Sequence, residues 1–240
     1  MNVVHEFSRF ANQYDSHSQV QQAVAQKLIA RIPKEPHQQI IDIGAGSGTL
    51  YKMIQEQAIP FEHFIALDFS DAMLQRHPSH PKVTKQLFDF NQPRDFHSLH
   101  LPTNSTVLSS SALQWSTNLE TTLYQISQLG KRFYFSLFTA NTFKTLHQIA
   151  NIQSPIYPTS TIEACLNQHY QLIHHELLHY RLYFNNVREM FQYIKRSGVS
   201  GGEQQLSYTE IKRLMNRYPY DYLEFEVLLV EALPKRYAKR

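Results

Sequence analysis

The stretch Ile40-Ile41-Asp42-Ile43-Gly44-Ala45-Gly46-Ser47-Gly48 decides how this chain is read. An apolar run of strand type stops abruptly in small residues, which is how a buried parallel strand delivers its carboxyl end to a ligand. A second run, Ala66-Leu67-Asp68-Phe69-Ser70, follows at about twenty residues' distance and ends in an acid, the spacing expected for a carboxylate that accepts both hydroxyls of a ribose. Glycines at 44, 46 and 48 let the main chain turn sharply and leave room for a ligand where the next helix begins. Strand, Asp-x-Gly-x-Gly-x-Gly, helix, strand and terminal Asp together describe a nucleotide-type site.

Two residues narrow the ligand. A nicotinamide or flavin fingerprint wants its third glycine one position later, where this chain has Thr49. Asp42, just before the turn, sets a carboxylate where a pyrophosphate is repelled and an ammonium is welcomed. Both point to S-adenosylmethionine, whose methionine end carries an amine and a sulfonium.

With 240 residues the chain can bury one substantial core. It has no apolar run long enough to cross a bilayer, and Met1 to Glu6 lacks a basic leader, so the expectation is a cytoplasmic protein without membrane attachment. Cys165 is the only cysteine, which excludes an intrachain disulfide and a thiolate metal cluster; its setting reads as a small apolar residue in a helix. Thirteen histidines invite a metal reading, but His174 and His175 are neighbours in a strand and point to opposite faces, so no metal is expected. A net charge of +3 is too small to argue for nucleic acid. Basic residues instead gather late, at Arg188, Lys195, Arg196, Lys212, Arg213 and Arg217. They form either a solvated helix face or a surface for an acidic partner.

Periodicity places a helix over about 16–32, with Val20, Val24, Leu28 and Ile32 as its stripe and Pro33 as its stop. Strands follow at 39–43, 64–67, 83–88, 106–109 and 133–138. Helices lie between them at 50–57, from Asp71 under a Ser70 cap, and at 118–129. Beyond come helices at 142–150 and 161–167, then two long strands near 170–183 and 222–232, separated by a helical insert over 186–217 broken at Gly198, Gly201 and Gly202. The alternation predicts an α/β protein: a parallel-dominated sheet, helices on both faces, and an antiparallel-looking pair at the end.

The order Asp42 to Gly48, Leu67-Asp68-Phe69-Ser70-Asp71-Ala72-Met73-Leu74, Asp89-Phe90 and Ser109 to Trp115 resembles the class I S-adenosylmethionine-dependent methyltransferases. More narrowly, Phe7 to Asp15, Ala112-Leu113-Gln114-Trp115 and Phe138 to Leu146 resemble the malonyl-acyl-carrier-protein O-methyltransferases of biotin synthesis, and the likeness covers nearly the whole chain. The resemblance implies a Rossmann-like fold with a seven-stranded, mostly parallel sheet and a helical lid insert. It implies one domain over 1–240, with a leader at 1–15 and helical caps at 141–168 and 186–217. It also implies roles. Gly44, Gly46 and Gly48 would line the methionine moiety, Asp68 would hold the ribose, Asp89 with Phe90 would flank the adenine, and Asp42, Ala45, Phe69, Met73 and Ser109 would complete the cofactor site. Tyr14, in a leader closing over the pocket, would touch substrate or cofactor, and malonyl-acyl-carrier protein would be the partner.

Methyl transfer from a sulfonium is an in-line displacement, so an enzyme must chiefly align the reactants and exclude water. An acceptor carboxylate, with a pKa of about 4, is already a nucleophile at neutral pH and needs no general base. It needs a cation or donors to hold it. Lys144, opening the helix after a central strand, is the first candidate, followed by Arg181, Arg188 and Lys195; Gln114 and Trp115 are candidates to line the substrate channel. The chain departs from the family pattern at Ser105, at Ser110 and in the Leu129 to Arg132 turn. Those departures keep open another small carboxylic acid or a ring carbon as acceptor, and a non-catalytic protein that only binds S-adenosylmethionine.

Overall fold

The computed structural model describes residues 19–99, 104–196 and 208–236. The leader with Tyr14 and the glycines at 198, 201 and 202 lie outside the described residues. Helix α1 (Gln19–Ile29) leads into β1 (His37–Ile43), α2 (Thr49–Glu56), β2 (Phe61–Asp68), α3 (Asp71–Arg76) and β3 (Val83–Leu87). Then come α4 (Pro93–Ser98), β4 (Thr106–Ser110), a 3-10 turn at Leu113–Trp115, α5 (Leu119–Ser127) and β5 (Arg132–Phe138). The remaining elements are α6 (Lys144–Ala150), α7 (Thr159–His169), β6 (Tyr170–Tyr183), α8 (Val187–Arg196), α9 (Tyr208–Arg217) and β7 (Tyr222–Pro234).

One seven-stranded sheet has the order β3-β2-β1-β4-β5-β7-β6. Strands β1 to β5 pair in parallel, and β7 runs antiparallel between β5 and β6. This is the parallel-dominated sheet that the alternation of elements predicts, in the Rossmann-like, seven-stranded form that the resemblance implies. Both faces of the central strands are buried, which accounts for their unbroken apolar runs. Ile40, Tyr134 and Phe138 pack with Val24, Leu28 and Leu50 of α1 and α2, and with Met190 and Leu214 of α8 and α9. Ile41, Ile43, Phe133 and Phe135 pack on the opposite side with Leu123, Ile126 and Ile162 of α5 and α7.

Several boundaries differ from the periodicity reading. Strand β2 begins at Phe61 because Phe61 and His63 continue the ladder with His37 and Gln39. Helix α6 begins at Lys144, not residue 142, since Thr142 is tied to β7 and Phe143 sits in the left-handed region at φ 58°. The short helix α4 and the 3-10 turn escape a pattern search because each is too brief to repeat. The Ser70 cap is in place, its Oγ accepting from the Met73 N–H at 3.4 Å. No helix among the described residues is long and apolar enough to cross a membrane.

Candidate functional site

The sheet order reverses direction between β1 and β4, and in open sheets of this kind ligands settle at such a point, beyond the carboxyl ends of the strands. A cleft of about 840 Å³, open to solvent, lies there. The glycine turn and the start of α2 form its floor, Asp68, Phe69, Met73 and Phe90 one side, and Ser110, Ser111, Ala112 and Trp115 the other. Gln21, Gln22 and Ala25 of α1 border the opening.

The turn is held from both directions. The N–H groups of Gly44 and Ala45 both donate to the Leu67 carbonyl, at 2.8 and 3.0 Å, so β2 fixes the point where β1 ends. Asp68 then reaches back: its Oδ2 accepts from the Gly46 N–H and its Oδ1 from the Ser70 N–H, both at 2.8 Å. Burial raises the Asp68 pKa, and these two main-chain donors act against the rise. A carboxylate already oriented by main-chain donors keeps lone pairs for a ligand's hydroxyls.

The glycines divide the work differently from the sequence reading. A Cβ on Gly44 would stand 2.3 Å from the Ala112 Cβ, so this glycine, besides lining the cleft, is demanded by the loop after β4. A Cβ on Gly48 would press on His77 and Pro78 at 2.8 Å, and Gly48 supports the start of α2 without lining the cleft. Gly44, Ala45 and Gly46 do line it.

Asp42 is the most unusual group in the site. It is 1% exposed, lines the cleft, and neither carboxylate oxygen has a hydrogen-bond partner. Burial, reinforced by the charge of Asp68, pushes its pKa up to about 8. Gln21 Oε1 and Ser111 Oγ are also buried in the cleft wall without partners. Orphaned buried oxygens are costly unless a ligand brings donors. An ammonium brings three, together with the charge that favours an ionised Asp42. The apolar side formed by Phe69, Met73 and Phe90 suits a purine.

Other expected positions fall outside the cleft. Ser109 is buried and donates its hydroxyl to the Ile43 carbonyl at 2.7 Å, tying β4 to β1. Asp89 accepts from the Asn91 N–H at 2.9 Å and is not among the residues lining the cleft. Gln114 donates to the Ser111 carbonyl at 2.7 Å, supporting the wall without forming it. Lys144 is exposed at the start of α6. Arg181 is exposed on β6, its guanidinium 4.8 Å from the Tyr222 ring centre.

Residues 41–132 match the sequence pattern of a methyltransferase domain. The chain carries a methyltransferase domain. That segment runs from the strand before the glycine turn to the start of β5 and so contains almost all of the cleft. Over most of its length the methyltransferase is also similar to curated relatives. It is 24% identical to the malonyl-[acyl-carrier protein] O-methyltransferase of Neorickettsia risticii, covering 92% of this chain and 90% of that one. It is 26% identical to the protein of the same name from Haemophilus influenzae, covering 90% and 83%. Its fold is shared with an S-adenosylmethionine-dependent methyltransferase of Mesorhizobium loti at a TM-score of 0.52 and 18% identity, covering 86% of this chain and 95% of that structure.

The cleft fits the cofactor in charge and shape. In the methyltransferase, Asp42 with Gln21 would hold the amino group, Asp68 the ribose, and Phe69, Met73 and Phe90 the adenine. The bound cofactor supplies an electrophilic methyl group on sulfur, and the protein's part is to orient it and keep water away.

Proposed function

We propose that this methyltransferase O-methylates the free carboxylate of malonyl-acyl-carrier protein, a step towards biotin, in the cytoplasm. The observation that carries this reading is the similarity, along nine-tenths of the chain, to two relatives bearing that name. The chemistry is compatible, because an ionised carboxylate requires no general base. Trp115 would border the acceptor, with Gln114 fixing its wall. Tyr14 would act from the leader, Arg181 from β6 and Lys144 from the cap at 141–168, Lys144 as the cation that meets the acceptor carboxylate.

The deciding experiment is incubation with labelled S-adenosylmethionine and malonyl carrier protein, followed by intact mass measurement. A gain of one methyl on the carrier protein supports the reading. Absence of that product, with methyl transfer to a free small acid or a ring carbon, assigns another acceptor.

Helix α9 presents Lys212, Arg213 and Arg217 to solvent while Leu214 packs inward. If this face meets an acidic carrier protein, reversing the charge of Lys212 and Arg213 weakens the carrier-bound substrate far more than a free malonyl thioester. The difference grows as salt is lowered. Equal losses on both substrates would remove α9 from the docking surface.

A further inference from the structure

Glu226, near the amino end of β7, is 7% exposed and lies outside the cofactor cleft. Its Oε1 accepts three side-chain hydrogen bonds: from Thr139 Oγ1 at 2.6 Å, Asn141 Nδ2 at 2.9 Å and Thr159 Oγ1 at 3.2 Å. His179 Nδ1 of β6 stands 3.7 Å from Oε2. The main chain of the same residue is engaged as well. Its carbonyl accepts from the Thr139 N–H and the Thr142 hydroxyl, both at 3.0 Å. One residue thus gathers the exit of β5, the approach to α6 and the first residue of α7.

The link continues towards the cleft. The Ala140 N–H donates to the Tyr157 carbonyl at 2.9 Å, and the Tyr157 hydroxyl donates to the Ser116 carbonyl at 2.9 Å. Ser116 follows Trp115, which lines the cleft. From its other side the same wall is gripped by Asn91, whose Oδ1 accepts from the Thr117 N–H at 2.8 Å. The Trp115 wall is therefore clamped between the adenine side and the 139–159 segment, and Glu226 anchors that segment.

We propose that Glu226 is a positioning residue for the methyl acceptor: through Thr159, Asn141 and Tyr157 it fixes the Trp115 wall of the cleft. This rests on the acceptor approaching beside Trp115 but not on its identity. Burial alone would raise the Glu226 pKa, and the three donors with His179 outweigh it and hold the carboxyl below the usual range, so the anchor is an ionised one. Hydrogen bonds to a charged acceptor are about twice as strong as neutral ones, which is why a carboxylate and not an amide suits three donors.

The test uses Trp115, the only tryptophan, as a local reporter. Glu226→Gln keeps an acceptor oxygen but loses the charge; Tyr157→Phe cuts the same link further along and disturbs no buried charge. Both are expected to leave S-adenosylhomocysteine affinity close to wild type while making Trp115 fluorescence redder and more easily quenched; Tyr157→Phe keeps a melting temperature near wild type, and Glu226→Gln lowers it while remaining folded. With whichever acceptor is turned over, its KM rises by about tenfold and cofactor KM is nearly unchanged, as expected for a displaced acceptor wall. Combining the two substitutions adds little to either alone. Wild-type Trp115 emission and quenching in both folded single variants would overturn the proposal. So would additive effects in the pair. The fluorescence readout needs no substrate, so failure of malonyl carrier protein as acceptor leaves it decisive.

Discussion

Gly44→Ala is expected to lose both fold stability and cofactor binding, whereas Gly46→Ala loses chiefly the second. Gly44 adopts φ +74°, and its added Cβ would lie 2.3 Å from the Ala112 Cβ. Neither side can withdraw. The Gly44 and Ala45 N–H groups are fixed to Leu67, and the loop carrying Ala112 is fixed by the Ser111 N–H to the Ser136 carbonyl at 2.8 Å. A left-handed residue with a Cβ costs about 1–2 kcal/mol and overpacking about 1–3 kcal/mol, so a loss of roughly 2–5 kcal/mol is expected. Gly46, at φ +55°, bears only the first cost, because a Cβ there meets nothing within 4 Å. Thermal melts paired with calorimetry of S-adenosylhomocysteine separate the two. A Gly44→Ala protein that melts like wild type would mean that the loop after β4 yields, contrary to the packing described.

The second large effect concerns pH. With its pKa near 8, Asp42 is protonated in the ligand-free protein at neutral pH. Its folded pKa lies above the value near 3.8 of an unperturbed carboxyl, so the folded state holds an extra proton between those limits. The stability due to that proton is complete below about pH 4 and is lost as pH rises through 8. Ligand binding runs the other way, since an ammonium favours the ionised form. Below pH 8, uptake of S-adenosylhomocysteine should release up to one proton, and affinity should fall by up to about tenfold per pH unit. Calorimetry at pH 7 in buffers of different ionisation heat counts the proton directly. Asp42→Asn should abolish the proton release, raise the ligand-free melting temperature above pH 8, and weaken binding by about 2 kcal/mol or more through loss of a buried charge pair. Binding with no proton exchange in wild type would place the amino group elsewhere.

The glycine turn and the two acidic strand ends were legible because burial on both faces writes itself as an apolar run, and the ligand-facing end as an interruption of it. Which serine faces the cleft is harder to read from sequence: in a strand, neighbours face opposite ways, and Ser109 turns to Ile43 while Ser110 reaches the cleft. Gln21 and Gln22 were passed over for a different reason. Val20, Val24 and Leu28 mark the buried stripe of α1, and glutamines beside such a stripe read as solvated. Only the placement of α1 across the sheet brings them to the cleft mouth. The Glu226 anchor was equally hidden, since its partners at 139, 141 and 159 lie more than sixty residues away along the chain.

The position of β7 carries a consequence for biogenesis. It is the last of the described strands, yet it occupies an interior place, and it is the only strand paired with β6 in the described sheet. On the ribosome the five parallel strands can assemble first, as amino-terminal elements generally do. The 14 residues of β6 must wait without a ladder partner until residues 222–234 emerge and thread between it and β5. A long unpaired strand is the species most exposed to wrong pairing, so the hazardous interval in this sheet's assembly falls between the emergence of β6 and that of β7, after the cofactor half of the sheet is complete.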